Sequence, residues 1–166
     1  IGRHIRRHSK ETDRIYVWGW YPGIYIEARR LAPIPRAFDS DMHVRSPRAL
    51  ASQIDSMVRQ FEKTPPAFLV DSRKQHFPWD RPPLELWPIL RTQQNSRPQS
   101  GFAPADPAIL ERYETSYKAA LEKQIGPEEA RRFEAMKPLR DFVMTHYRIV
   151  PDLSWPKSPH VLFEQK

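Results

Sequence analysis

With 166 residues and 27 Lys and Arg against 20 Asp and Glu, the chain has the length of one folded domain and a formal charge of +7. It contains no cysteine, which excludes disulfides, thiol nucleophiles and thiolate metal sites. Its longest apolar runs, such as Ala67 to Val70 and Ile24 to Ile26, are far shorter than the ~20 residues a membrane-crossing helix needs.

The stretch from Ile1 to Lys10 is basic and leads into no apolar run with a small-residue cleavage site, so no signal peptide is expected there. The chain opens on Ile1 rather than Met, as a C-terminal piece of a larger protein would. His4 and His8, four residues apart, have a spacing that could present two imidazoles to one zinc. Arg3, Arg6 and Arg7 surround them and no third ligand is near in sequence, so a charged face is expected rather than a zinc site. Arg14 to Trp18 is β-branched and aromatic and predicts a buried strand. Pro22-Gly23 interrupts it, and Ile24, Tyr25 and Ala28 predict a short helix with Pro22 at its start. Arg36 to Val44 predicts a second strand, with Phe38, Ser40, Met42 and Val44 on one face and Asp39, Asp41 and His43 on the other.

The clearest helix follows, with Ser46 as N-cap, Pro47 at its first position, and Leu50, Ile54, Met57, Val58 and Phe61 as a core-facing stripe. Thr64-Pro65-Pro66 stops it, and Ala67 to Val70 predicts a strand that delivers Asp71-Ser72-Arg73 at its C-terminal end. From residue 74 to residue 105 the periodicity gives way to a Pro-rich irregular loop with Phe77-Pro78-Trp79 and Leu84 to Trp87 as apolar islands. A helix is predicted from Asp106-Pro107 to Gln124. After Gly126-Pro127 a further helix runs from Glu128 to Tyr147, and Val161 to Phe163 is a last short strand. The alternation of strand and helix implies a single α/β domain over residues 1–166. The expected form is a small Rossmann-like three-layer sandwich, with a mostly parallel sheet of about four strands and a helical C-terminal part.

Gly19-Trp-Tyr-Pro-Gly23 lacks the G-x-G-x-x-G spacing, and Trp20 and Tyr21 are too bulky for a phosphate cradle, so no nucleotide cofactor is expected. Asp39-Ser-Asp41 with His43 resembles a metal-holding pair of aspartates, but three residues on a polar face are more simply a solvated surface, and no metal is expected. No serine has a recognisable elbow or neighbouring base, and no catalytic residue is assigned. Candidate contact residues are the aromatic and charged groups Trp18, Trp20, Tyr21, Asp71, Arg73, Trp79 and Trp87, for an acceptor or an interface. Core packing accounts for most of the aromatics, and capping a turn or pairing with Arg73 accounts for Asp71. A basic nucleic-acid module ranks last, because no groove-reading helix is evident.

Asp13-Arg-Ile-Tyr-Val-Trp-Gly-Trp-Tyr-Pro-Gly-Ile-Tyr25, with Ala28-Arg-Arg30 and Pro33, resembles the segment after the last membrane helices of bacterial glycosyltransferases. These are similar to the dolichyl-phosphate-mannose protein mannosyltransferase and aminoarabinose transferase family. The resemblance extends in patches to Pro65 to Lys74, Arg81 to Pro88, and the passage from Leu139 to Tyr147 into the strand at Val161. It implies an integral membrane enzyme of the C-type glycosyltransferase fold, moving a sugar from a polyprenyl-phosphate donor to an acceptor on the extracytoplasmic side. The catalytic acid of that family lies in an early loop that nothing in this chain matches. The chain would then be a non-catalytic periplasmic domain beside the membrane-embedded part of the same enzyme, the polyprenyl-phosphate sugar donor and lipid headgroups. The alternative is a free-standing soluble α/β enzyme or binding domain for a phosphorylated sugar or nucleotide at the strand ends near Gly19 and Asp71.

Overall fold

The computed structural model describes residues 1–35, 41–74, 77–79, 84, 107–154 and 157–166. They form a mixed α/β fold with helices α1 (Gly2–Arg7), α2 (Gly23–Ala28), α3 (Pro47–Lys63), α4 (Pro107–Gln124), α5 (Pro127–Ala135) and α6 (Lys137–His146). Strands β1 (Ile15–Trp18), β2 (Phe68–Asp71), β3 (Tyr147–Ile149) and β4 (Val161–Gln165) join in one sheet of order β1-β2-β4-β3. β1 and β2 are parallel, with Ile15 opposite Phe68 and Trp18 opposite Asp71. β4 runs antiparallel to both β2 and β3. The sheet is therefore mixed, where the alternation of elements had suggested mostly parallel pairing. β4 follows β3 closely in sequence and enters between β2 and β3 without a crossover helix, so it runs against both neighbours.

Every residue of β1 and β2 is buried, because the two faces are covered by different helices. Tyr16, Trp18, Leu69 and Phe163 join the stripe of α3 (Leu50, Ile54, Met57, Phe61) and the inner faces of α5 and α6 in one cluster. Ile15, Val17, Phe68, Val70 and Leu162 form the second with Ile5 of α1 and Ile24 and Ala28 of α2. α3 begins as its sequence requires: Ser46 caps it by accepting the Ala49 N–H, and Pro47 occupies the first turn where its missing N–H costs nothing.

Three expectations change. Met42 to Val44 form a 3-10 turn instead of strand, with Met42 buried in the core and Val44 exposed, so the two do not share a face; residues 36–40 of that predicted strand lie outside the described residues. The helix expected from Glu128 to Tyr147 is two helices meeting at Met136. Pro138 cannot offer an N–H to the carbonyl four residues back, and it sits in the first turn of α6. That second helix stops at His146, and Tyr147 instead opens β3, donating its buried hydroxyl to the carbonyl of Pro66 at 2.7 Å.

Among the described residues the outer edge of β1 meets only a single parallel bridge, between Arg14 and Leu31, and no full strand. Its Ile15 N–H donates to the Leu31 carbonyl (3.0 Å) and its Val17 N–H to the Tyr25 hydroxyl (2.9 Å), so the segment around α2 closes the edge. Burial lifts the Tyr25 phenol from 10.0 to about 12, opposed by the Val17 N–H bond. A raised phenol pKa means the folded state favours the neutral form. That stabilisation is complete below pH 10 and is lost as the pH climbs from there through about 12. Tyr25→Phe strands the Val17 N–H and is expected to lower the unfolding free energy by about 1 kcal/mol at neutral pH. The variant should also lose less stability than the parent chain between about pH 9 and about pH 11. Denaturant unfolding across that range checks both, and parallel pH profiles would reject the role given to Tyr25.

Candidate functional site

The parallel pair ends with Trp18 and Asp71 side by side, and the chain turns away there on both strands. Continued alternation after Trp18 would return residue 20 to the same face. Gly19 instead adopts a positive φ of 91°, the Tyr21 N–H folds back on the Gly19 carbonyl at 3.1 Å, and Trp20 and Tyr21 leave the sheet exposed. On β2, Ser72 extends the ladder by one bond, donating its N–H to the Trp18 carbonyl at 3.0 Å. The fully buried Asp71 accepts the Arg73 N–H through Oδ1 at 2.8 Å, an Asx-type turn that holds Arg73 at φ 55°.

β4 runs antiparallel to β2, so the residue that precedes it arrives at this same rim. His160 Nδ1 lies 3.1 Å from the Ser72 carbonyl, to which an Nδ1–H donates, and its ring packs 4.8 Å from the ring of Tyr21. Tyr21, Ser72 and His160 thus converge on the ends of the parallel strands, with Trp20, Asp71 and Arg73 adjoining. The arrangement offers a half-exposed imidazole, a phenol and an indole, which suit stacking and hydrogen bonding to a polar ring or an anion. Ser72 Oγ accepts from the Lys74 N–H (3.4 Å), and the imidazole is engaged with backbone, not with that hydroxyl.

Of the sequence-predicted contacts, Trp20, Tyr21, Asp71 and Arg73 share this rim. Trp18 begins it but is buried in the core, with no hydrogen-bond partner for its Nε1–H among the described residues. Trp79 is buried elsewhere: it stacks on Phe77 at 4.3 Å, meets Phe133 edge-on, and donates Nε1–H to Glu129 Oε2 at 2.7 Å. Glu129 also receives Arg132 at 2.9 Å, so Trp79 fastens its own segment to α5. Trp87 lies outside the described residues. His160 and Ser72 are not among the sequence-predicted contacts; only the antiparallel course of β4 brings His160 here, and strand direction is not written in the short apolar run Val161 to Phe163.

Among the described residues no group of three His, Cys, Asp or Glu is placed to hold a metal ion. Asp41 binds the Arg45 guanidinium at 2.8 Å, while Asp39 is outside the described residues. His4 and His8 stack at 4.0 Å, and His8 Nδ1–H donates to the His4 carbonyl. Burial first, and the charge of His8 next, lower the pKa of His4. His8 caps the end of α1, and His4 meets the Phe68 ring edge-on.

Fold and rim together define a mixed α/β domain with helices on both sheet faces and an aromatic, hydrogen-bonding edge at the ends of its parallel strands. No family model, curated protein or solved structure matches the chain.

The tryptophans divide between core and rim, and this is measurable. Trp79→Ala is expected to cost about 3–5 kcal/mol, since it empties a core position and strands one oxygen of Glu129. Trp20→Ala should change stability by no more than about 1 kcal/mol. Similar unfolding midpoints for the two variants would contradict the division.

Proposed function

We propose that the chain is the non-catalytic, extracytoplasmic (periplasmic) domain of a membrane glycosyltransferase that moves a sugar from a polyprenyl-phosphate donor to an acceptor. The observation that carries the reading is the Asp13 to Tyr25 segment, on which the resemblance to the mannosyltransferase and aminoarabinose transferase family rests. There Val17-Trp18 completes a buried strand, Gly19 turns the chain, and Trp20-Tyr21 stand exposed before a short helix. One tryptophan anchors the segment and the next is presented outward, as a domain that packs beside a larger assembly requires. The parallel β1–β2 pair, joined through helices, supports a Rossmann-like reading of the fold. No helix among the described residues is long and apolar enough to cross a membrane, so the spans of such an enzyme would lie outside this chain. Its catalytic acid would lie there too. The domain's part is to cover the membrane active site and contact the acceptor through the rim at the strand ends, beside Asp71 and Arg73.

A second reading is favoured by one observation, the convergence of Tyr21, Ser72 and His160 at the strand ends. It makes the chain a soluble binding domain for a phosphorylated sugar or nucleotide, and heat on titration with such ligands at millimolar concentration would support it.

The decisive experiment is to translate the coding sequence upstream of Ile1 and then delete residues 1–166 from the product. Eight or more apolar spans of ~20 residues, with sugar transfer lost on deletion, are expected. A start codon at Ile1, or full transfer without the domain, would overturn the proposal.

A further inference from the structure

Six large apolar side chains are exposed among the described residues, and four of them, Trp20 (58%), Tyr21 (43%), Ile26 (77%) and Leu31 (67%), fall within one stretch around α2. In that six-residue helix Ile24 and Ala28 face the sheet, which puts Ile26 half a turn away, pointing out of the molecule. The helix is only ~9 Å long, so the aromatic pair before it and Leu31 after it border the same small face. Scattered apolar residues on a surface are ordinary; four gathered in one short helix and the segments that flank it are not.

The surroundings of this face are basic. α1 lies against α2, so close that a Cβ on Gly2 would stand 2.5 Å from the Glu27 carboxylate. Arg3, Arg6, Arg7 and Lys10 are exposed on and just after α1, and Arg29 is exposed at the end of α2. The acid on α2, Glu27, is engaged with Arg3 at 3.5 Å. Arg30 fixes the two helices to each other, donating to the Arg6 and Ser9 carbonyls at 3.3 and 2.7 Å and to the Ser9 hydroxyl at 3.0 Å. Arg29 has a positive φ of 54°, the position at a helix end where glycine is unstrained; a cation held there carries charge at a conformational cost.

We infer that the α1–α2 face is a docking surface for an anionic lipid bilayer, with Ile26, Leu31 and the Trp20-Tyr21 pair entering the headgroup boundary while the flanking arginines meet lipid phosphates. Aromatic rings with a polar edge and long cationic side chains are the groups that boundary favours, and charge complementarity selects an anionic layer over a neutral one. The inference deepens the proposed function by naming the surface turned to the membrane, and it is tested separately from it.

The test is co-sedimentation of the 166-residue chain with vesicles of phosphatidylcholine alone or of equimolar phosphatidylcholine and phosphatidylglycerol. Binding to the anionic vesicles and little to the neutral ones is expected, weakening with added salt. Ile26→Glu should lower the partition coefficient at least about tenfold, and Arg29→Gly about fivefold while raising thermal stability. Val44→Glu, at an exposed apolar residue outside this stretch, should leave it unchanged. Unchanged circular dichroism establishes that each variant is folded. No binding, equal binding to both vesicles, or binding indifferent to Ile26→Glu would overturn the inference. So would a dimer in sedimentation equilibrium that Ile26→Glu abolishes, since the face would then belong to a second copy. Membrane spans encoded upstream with no vesicle binding would leave the proposed function standing without this surface; vesicle binding without such spans would do the reverse.

Discussion

The sheet is four strands of three to five residues, and its β1 and β2 are buried on both faces, so the structure depends on what closes the open side of β1. A backbone N–H hidden from water without a partner costs about 1–3 kcal/mol, a sizeable share of the net stability of such a domain. Among the described residues no full strand lies there, and those around α2 substitute for one: the Leu31 carbonyl takes the Ile15 N–H and the Tyr25 hydroxyl takes the Val17 N–H. α2 must therefore sit tightly against the sheet, which Ile24 and Ala28 secure by burial. Arg30 then ties the end of α2 to the end of α1, satisfying carbonyls that helix termini leave open. One short segment closes the edge, covers the face and joins two helices.

The opposite face is held differently. Here α3, α5 and α6 bury a broad apolar layer, and two arginines drawn in with it are bound to carboxylates and backbone carbonyls. Arg140 is almost wholly buried, lies 4.1 Å over the Phe133 ring, and binds both the Phe133 carbonyl and Glu114 of α4. Burial pulls its pKa down and Glu114 opposes the shift. Arg132 joins Glu129 to the Met42 carbonyl, so the turn at Met42 is fixed to α5 across ninety residues of sequence. Such buried pairs add little net stability, because desolvation offsets much of the attraction, but breaking one leaves an uncompensated charge. They set which helix meets which turn.

The elements with a strong local signal were legible. The 3.6-residue stripe and Ser46-Pro47 start of α3, the apolar cores of β1, β2 and β4, and the Pro107 opening of α4 all stand where periodicity and capping place them. Sequence reasoning failed where the deciding contact is remote. Met42 alternates with Val44 as strand residues do, yet Met42 is drawn into the core beside Arg132, and the turn wins over local propensity. Tyr147 continues the helical spacing of Leu139 and Val143, but its hydroxyl bond to Pro66 and its pairing with Gln165 make it the start of a strand. α1 gave no signal beyond charge, because six residues with one inward side chain, Ile5, are helical only when α2 is beside them. The same reason hid His160 from the rim.

The segment from Trp18 to Arg30 contains both the strongest structural demands and the clearest departures from local economy. Gly19 reverses an alternation that would have carried residue 20 back over the core, Ile26 exposes most of its surface, and Arg29 occupies a backbone conformation that costs a non-glycine residue about 1 kcal/mol or more. Neither Ile26 nor Arg29 serves the edge closure that Tyr25 and Leu31 perform, since a glycine at 29 and a polar residue at 26 would leave those bonds untouched. They are the departures that the proposed bilayer-facing role of this segment would account for. Trp18 and Trp20 illustrate the division at its sharpest: one indole is spent on the core and the other, two residues on, is turned away from it by a single positive φ.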